Sequence, residues 1–304
     1  KHSPVLATHD TYLKMYQLSD PKLNYDIIYL DEAQDTTDCV LDILLKQNSK
    51  IILVGDSKQS IYQWRGAVNA MQRVECAEKN LTQSFRYGQE IADIATIIIN
   101  DEMQIKGNPS IESTIGAIDT EKQYAMLFRS NGGLLMNAVK LIQDGKKVKI
   151  ESDTNDFVKM LYSADALMME DFKNVKHEKL VAYSDWDDLS ENSKDDSELK
   201  RLVKIVENGQ TKLFAGCLSN TVKNSEDADV ILTTCHKSKG RQFEQLALGD
   251  DFQSLFDDDG KKREMSEEEL NLLYVACTRA VNVLQINQLV DEIVQEYRKE
   301  NEGE

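Results

Sequence analysis

The chain has 304 residues, enough for two domains or for one domain with a large insertion. Hydrophobic residues make up 41% and charged residues 29%, a globular balance, and no apolar run, the greasy stretch Ile94 to Ile99 included, approaches the roughly 20 residues of a membrane span. Lys and Arg number 36 against 53 Asp and Glu, so the net charge is −17 and any contact with a nucleic acid must be local.

Residues 25 to 80 alternate short apolar strands with helical stretches, the signature of an α/β parallel sheet. A strand over Tyr25–Leu30 runs into acidic residues, and one over Ile51–Val54 runs into Gly55-Asp56. Strands that stop at such clusters place polar groups at the carboxyl edge of a sheet, where open α/β folds bind ligands. From Leu81 the pattern restarts: Ile91, Ile94, Ala95 and Ile98 have the spacing of a buried helix face, and Tyr124–Phe128 reads as a strand. Leu135, Val139 and Ile142 form the stripe of the next helix, closed by Asp144-Gly145.

Beyond about residue 151 the signal changes. Asp156 to Met169 is helical, whereas Asp185 to Lys200, crowded with Asp, Ser and Glu, predicts a loose surface loop within a mostly helical insertion over 151–228. Val230–Thr234, Leu246–Leu248 and Val283–Ile286 then restore buried strands. Leu270, Leu273, Tyr274 and Cys277 mark a helix packed on this second sheet, opened by Ser266 and the acids Glu267–Glu269 near the positive end of its dipole. The acidic segment after Glu292 predicts an amphipathic terminal helix with a fraying end.

Cys39, Cys76, Cys217, Cys235 and Cys277 are widely spaced, odd in number and without a C-x-x-C pair, which argues against a zinc module and a disulfide framework. They read as reduced thiols of an intracellular protein, cytoplasmic if the source is prokaryotic or viral and nuclear if it is eukaryotic. The chain opens on Lys1 without the layout of a signal peptide, and the expectation is that it begins partway through a gene product.

Two segments carry chemistry. Asp31-Glu32-Ala33-Gln34-Asp35 follows an apolar strand directly; one carboxylate there can hold the waters of a Mg²⁺ ion, and its neighbour can orient or deprotonate an attacking water, as nucleotide hydrolysis requires. The same acids before Thr36-Thr37-Asp38 would also make an ordinary helix N-terminus. In Gly55 to Ala67, Gly55 permits a tight turn and Gln59 can hydrogen-bond a phosphate or water, while Tyr62, Trp64 and Arg65 offer flat faces on which bases can stack. The alternative there is a core Trp beside a structural turn.

With Leu81 to Arg86, Thr233 to Gly240 and Leu273 to Ala280, these segments resemble successive motifs of the UvrD/PcrA/Rep-like superfamily 1 DNA helicases, in the family's order and over nearly the whole chain. The short insertion and the Ala7–Lys14 stretch look most like the F-box DNA helicase branch. The resemblance implies ATP and Mg²⁺ as cofactors and, as partner, single-stranded DNA or DNA with a single-stranded tail. It implies that Asp31 holds Mg²⁺ through water, that Glu32 activates the hydrolytic water, and that Gln59 links the γ-phosphate to the DNA site. Phe85 would stack near the adenine, where the family usually has Tyr. Arg86 and Arg279 would act as two arginine fingers, against the alternative of solvated surface arginines. Trp64, helped by Tyr62 and Arg65, would stack on bases, and His236 would couple nucleotide state to DNA contact.

Two departures stand out. After Gly240 the family's fifth motif usually reads Leu-Glu-Phe, with the Glu on the ribose, whereas this chain has Arg241-Gln242-Phe243; Gln242 can still hydrogen-bond a hydroxyl, less strongly than a carboxylate. No G-x-x-x-x-G-K-[ST] phosphate-binding loop occurs. In the family that loop lies upstream of the acidic motif.

The resulting expectation is an α/β protein with two RecA-like P-loop NTPase lobes, the first truncated (1–80) and the second (81–150 and 229–304) interrupted by the helical insertion. It would be the C-terminal portion of an ATP-dependent helicase or translocase, moving 3′ to 5′ by resemblance, in replication, repair or recombination, and inactive alone for want of the loop. The rival readings are a catalytically dead, helicase-like interaction protein and the motor subunit of a recombination helicase-nuclease.

Overall fold

The structure is a computed structural model and describes residues 8–100, 104–152 and 154–302; the Ala7 end of the Ala7–Lys14 stretch lies outside them. In chain order, α1 (His9–Leu18), β1 (Ile27–Leu30), α2 (Asp38–Leu45), β2 (Lys50–Leu53) and α3 (Ala70–Arg73) come first. Then follow α4 (Gln89–Ile99), β3 (Thr114–Ile115), β4 (Tyr124–Phe128), α5 (Asn131–Gln143), β5 (Val148–Ile150), α6 (Thr154–Met168), α7 (Trp186–Asn192), α8 (Ser197–Glu207) and α9 (Thr211–Ser219). The chain closes with β6 (Val230–Thr234), α10 (Cys235–Ser238), β7 (Phe243–Leu248), α11 (Glu267–Cys277), β8 (Ala280–Gln285) and α12 (Gln288–Glu302). Among the described residues no helix is long and apolar enough to cross a membrane.

Two compact units result: one of residues up to Leu81 with Met265–Val275, the other of Thr82–Glu264 with Ala276 onward. In the first, β1 and β2 pair in parallel, Ile28 beside Ile51 and Leu30 beside Leu53. A small core of Ala33, Leu41 and Ala70, with Leu30, Leu53, Val68 and Met71 packed on it, holds the pair against its helices. On the other face of β1, Ile27 and Tyr29, two apart, are both exposed.

The helix expected over Leu270–Cys277 forms and is capped as its sequence dictates, Ser266 Oγ accepting the Glu269 amide at 3.2 Å. Its expected seat needs correction. The part through Val275 groups with the first unit, where Asn271 Nδ2 donates to the Ser60 carbonyl at 3.2 Å.

The second unit is built on a six-stranded parallel sheet in the order β3-β8-β7-β4-β6-β5. β6 is buried along its whole length and β4 nearly so, which is why both read as unbroken apolar runs. One core joins β4 and β6 residues such as Tyr124, Phe128 and Leu232 to Leu134 of α5, Leu161 of α6, Leu202 of α8 and Phe214 of α9. The 151–228 stretch leaves after β5, returns to β6, its neighbour in the sheet, and shares that core. Asp185 to Lys200 is not a loose loop. Asp185 caps α7 by accepting the Asp188 amide and Asp196 caps α8 by accepting those of Glu198 and Leu199, so the acids that suggested a loop are helix starts while Leu189 and Leu202 are buried.

Candidate functional site

β1 ends on Asp31 and Glu32 at the carboxyl edge of the parallel pair. Asp31 is exposed, and its Oδ1 accepts the Glu32 amide at 2.9 Å. Glu32 has φ 51° and ψ 41°, a left-handed conformation that costs a residue with a side chain about 1–2 kcal/mol. Strain of this sort persists only where neighbours over-determine it, and it gathers at functional positions. The neighbours here are specific. Gln34, 1% exposed, donates from Nε2 to Glu32 Oε2 at 2.5 Å, and its Oε1 accepts the Asp56 amide at 3.1 Å. Gly55 serves this contact rather than a left-handed turn: a Cβ there would run into Gln34 Oε1 and crowd the Ala33 amide.

Asp56 then carries the network onward. Its Oδ1 accepts the Lys58 amide at 2.9 Å and its Oδ2 accepts Gln59 Nε2 at 2.9 Å. Glu32, Gln34, Asp56 and Gln59 thus form one hydrogen-bonded run across the two strand ends. Among the described residues no group of three or more His, Cys, Asp or Glu side chains could hold a metal ion. The exposed Asp31 carboxylate at a strand end fits Mg²⁺ nonetheless, because that ion keeps several waters and takes few protein ligands.

Beyond Gln59, Trp64 is 66% exposed, which removes the alternative of a core Trp. The Arg65 guanidinium carbon lies 5.3 Å from the Trp64 ring centroid and 6.0 Å from that of Tyr62, so the three make a cationic aromatic surface. Tyr62 is half-buried, and burial, followed by the negative charge of Asp35, raises its phenol pKa.

The other expected residues lie in the second unit. Phe85 is 82% exposed. Arg86 Nη1 donates to the Thr278 carbonyl at 3.1 Å, and Arg279 Nη2 donates to Thr278 Oγ1 at 3.2 Å, so the two expected arginine fingers meet at one residue. Arg279 is 1% exposed, not a solvated surface cation. His236 sits half-buried on α10, Gly240 has φ +83°, and Gln242 is exposed. The structure therefore groups Asp31, Glu32 and Gln59 with Tyr62, Trp64 and Arg65 in the first unit, and Phe85, Arg86, His236, Gly240, Gln242 and Arg279 in the second.

Sequence reasoning gave no role to Gln34, Asp56 or Tyr274. Gln34 and Asp56 stood inside the quoted motifs, and a polar residue flanked by Ala33 or Gly55 was the available signal. Tyr274, 7% exposed in an apolar helix, donates its hydroxyl to Asp56.

A family model described as the UvrD/REP helicase N-terminal domain matches residues 9–75, and one described as the UvrD-like helicase C-terminal domain matches residues 79–289. F-box DNA helicase 1 of Gallus gallus is 34% identical over 321 residues, covering 94% of this chain and 31% of that protein. F-box DNA helicase protein 1 of Schizosaccharomyces pombe is 28% identical over 330 residues, covering 96% of this chain and 37% of its own length. ATP-dependent DNA helicase PcrA of Leuconostoc citreum is 35% identical over 85 residues, 25% of this chain and 11% of that protein. The chain thus spans about a third of each F-box relative.

Proposed function

Since the chain belongs to the UvrD-like helicase family, we propose that it is the C-terminal portion of an ATP-dependent DNA helicase or translocase that moves 3′ to 5′ on single-stranded DNA in repair, recombination or replication. The run from Glu32 through Gln34 and Asp56 to Gln59 carries this reading. It holds a strained carboxylate beside a second carboxylate at the carboxyl edge of parallel strands, where a water and a terminal phosphate would be handled. Asp31 would hold Mg²⁺ through water, and the ion would offset charge on the phosphates. Glu32 would take the proton of the attacking water, Gln34 fixing its direction. Gln59, its Nε2 occupied by Asp56, would present its carbonyl oxygen to a donor such as water.

Arg86 and Arg279 would meet the charge that develops on the γ-phosphoryl group, Phe85 would stack on the adenine, and Gln242 beside Gly240 would hydrogen-bond the ribose. Tyr62, Trp64 and Arg65 would carry bases, with His236 relaying nucleotide state. The exposed Ile27 and Tyr29 of β1 support a parent in which a further layer covers that face, since parallel sheets are covered on both faces. Likeness to F-box DNA helicases of a bird and a fission yeast supports a nuclear place of action.

The test is Glu32→Gln in a parent that carries the loop. The amide keeps shape but cannot accept the proton, so turnover should fall by roughly 10²- to 10⁴-fold with ATP and DNA binding nearly intact. Wild-type turnover in that variant overturns the assignment. The 304-residue chain alone should show no DNA-stimulated hydrolysis at the rate of about one per second or more expected of an intact enzyme.

A further inference from the structure

Arg241 stands where the family's fifth motif usually has Leu, in the loop between α10 and β7. Its guanidinium grips Glu151 as a fork: Nη1 lies 2.8 Å from Oε1, and Nη2 donates to Oε2 at 3.2 Å. Such a planar two-point contact fixes direction as well as distance, which Leu cannot do. Glu151 sits where the chain leaves β5 toward α6, and its own amide donates to the Leu232 carbonyl at 2.9 Å. The same carboxylate accepts the Ser225 hydroxyl at 3.3 Å, and Ser225 lies on the return toward β6. A second contact runs alongside, Lys237 Nζ donating to Ser152 Oγ at 3.1 Å. On its far side the Arg241 carbonyl accepts Arg279 Nη1 at 3.5 Å.

From this placement we infer that Glu151 and Arg241 form a clasp joining both ends of the 151–228 excursion to the loop that follows α10, which carries Gly240 and Gln242 and adjoins His236. Arg241 is then a positioning residue for that loop and, through its carbonyl, for Arg279. Movement of either end of the excursion must break a charge-assisted contact before the loop is left behind. By reciprocity, a ligand that orders the loop also restrains the excursion. The inference rests on the helicase reading for its functional consequence and on contacts within the second unit for its structure.

The test uses the 304-residue chain with Arg241→Leu, with Glu151→Gln, with both, and with the swap of Glu151→Arg plus Arg241→Glu. Amide hydrogen exchange over residues 236–243 is the first readout. Each single substitution should speed exchange at Gly240 to Phe243 about fivefold, the double no further than either single, and the swap should restore part of the loss. Affinity for single-stranded DNA is the second readout. Glu151→Gln removes a negative charge, so simple electrostatics predicts tighter binding of a polyanion, whereas the clasp predicts weaker binding by about 3-fold because the loop is freed.

Unchanged exchange in both single variants overturns the clasp, whatever the DNA measurement gives, and so does tighter binding by Glu151→Gln. A wild-type chain that fails to bind DNA overturns the helicase reading and leaves the exchange data to decide the clasp. Should Arg241→Leu not fold, Arg241→Lys keeps the charge and loses the fork; wild-type exchange in that variant overturns the inference.

Discussion

Tyr274 and Asp56, 218 positions apart in sequence, meet through the phenolic hydroxyl, which donates to Asp56 Oδ2 at 2.9 Å. The same oxygen accepts Gln59 Nε2, so the carboxamide proposed to face a water at the site is oriented by a carboxylate that is itself anchored to α11. Asn271, three residues before Tyr274, secures the Ser60 carbonyl from the same helix.

Tyr274→Phe tests that anchor. Phe keeps the ring in its buried place and removes one hydrogen bond to a charged group, worth about 1.5–3 kcal/mol. A melting temperature lower by roughly 3 to 10 °C is expected. In a parent with the phosphate-binding loop, kcat should fall while KM for ATP holds, because Gln59 is misdirected rather than lost. Unchanged melting would show that the hydroxyl contributes nothing.

Arg279 makes a second, paired prediction for stability and turnover. Its guanidinium is buried and donates to Thr278 Oγ1 and the Arg241 carbonyl, so removing it deprives both acceptors of a donor, at about 1–3 kcal/mol. Arg279→Met should therefore lower the melting temperature of this chain by a few degrees. In a loop-bearing parent the same substitution should reduce kcat, on the scale of about 10³- to 10⁵-fold set by arginine fingers. Parallel measurement of melting and turnover decides, and a large melting loss with normal turnover would falsify the finger role.

Much of the fold was legible because buried parallel strands need continuous apolar runs: Tyr124–Phe128 and Val230–Thr234 form at their predicted bounds. β3 and β5, of two and three residues, carry too little pattern to read. α8 was hidden for a different reason. Leu199, Leu202, Val203 and Val206 have helical spacing, but the acidic run that caps the helix looked like a loop. Strand ends and motif spacing pointed to Asp31, Glu32 and Trp64. The supports were not legible, since Gln34 to Asp56, Glu151 to Arg241 and Asp56 to Tyr274 are pairings that only the folded chain creates.

The thiols yield a pH prediction. Burial pushes Cys277 up to about 12, and burial, followed by the charge of Asp251, raises Cys235 well above its ordinary value. A thiol whose pKa is higher folded than unfolded adds stability that is fully present below the unfolded pKa, near 8.5, and is lost as pH climbs toward the folded value. The melting temperature should therefore fall from about pH 9 to 11, and less steeply in Cys277→Ala. At pH 8 an alkylating reagent should label the exposed Cys76 first and spare Cys235 and Cys277, as peptide mass spectrometry would report. Equal labelling of Cys277 and Cys76 would contradict the burial.

Trp64 separates a DNA-binding motor from a helicase-like protein that serves only as a docking surface. Its indole is 66% exposed, with the Arg65 guanidinium set beside it. Stacking of one base on such a platform contributes roughly 1–3 kcal/mol, so Trp64→Ala should weaken binding of single-stranded DNA by about 5-fold to 150-fold. Melting should change little, because truncating a side chain exposed to this degree leaves no cavity; a core Trp would instead lose about 3–5 kcal/mol of folding free energy. Both quantities are measured on one sample, affinity by fluorescence anisotropy of a labelled oligonucleotide and stability by circular dichroism. Wild-type affinity per folded molecule in Trp64→Ala would remove the platform and, with it, the strongest residue-level support for DNA contact in the first unit.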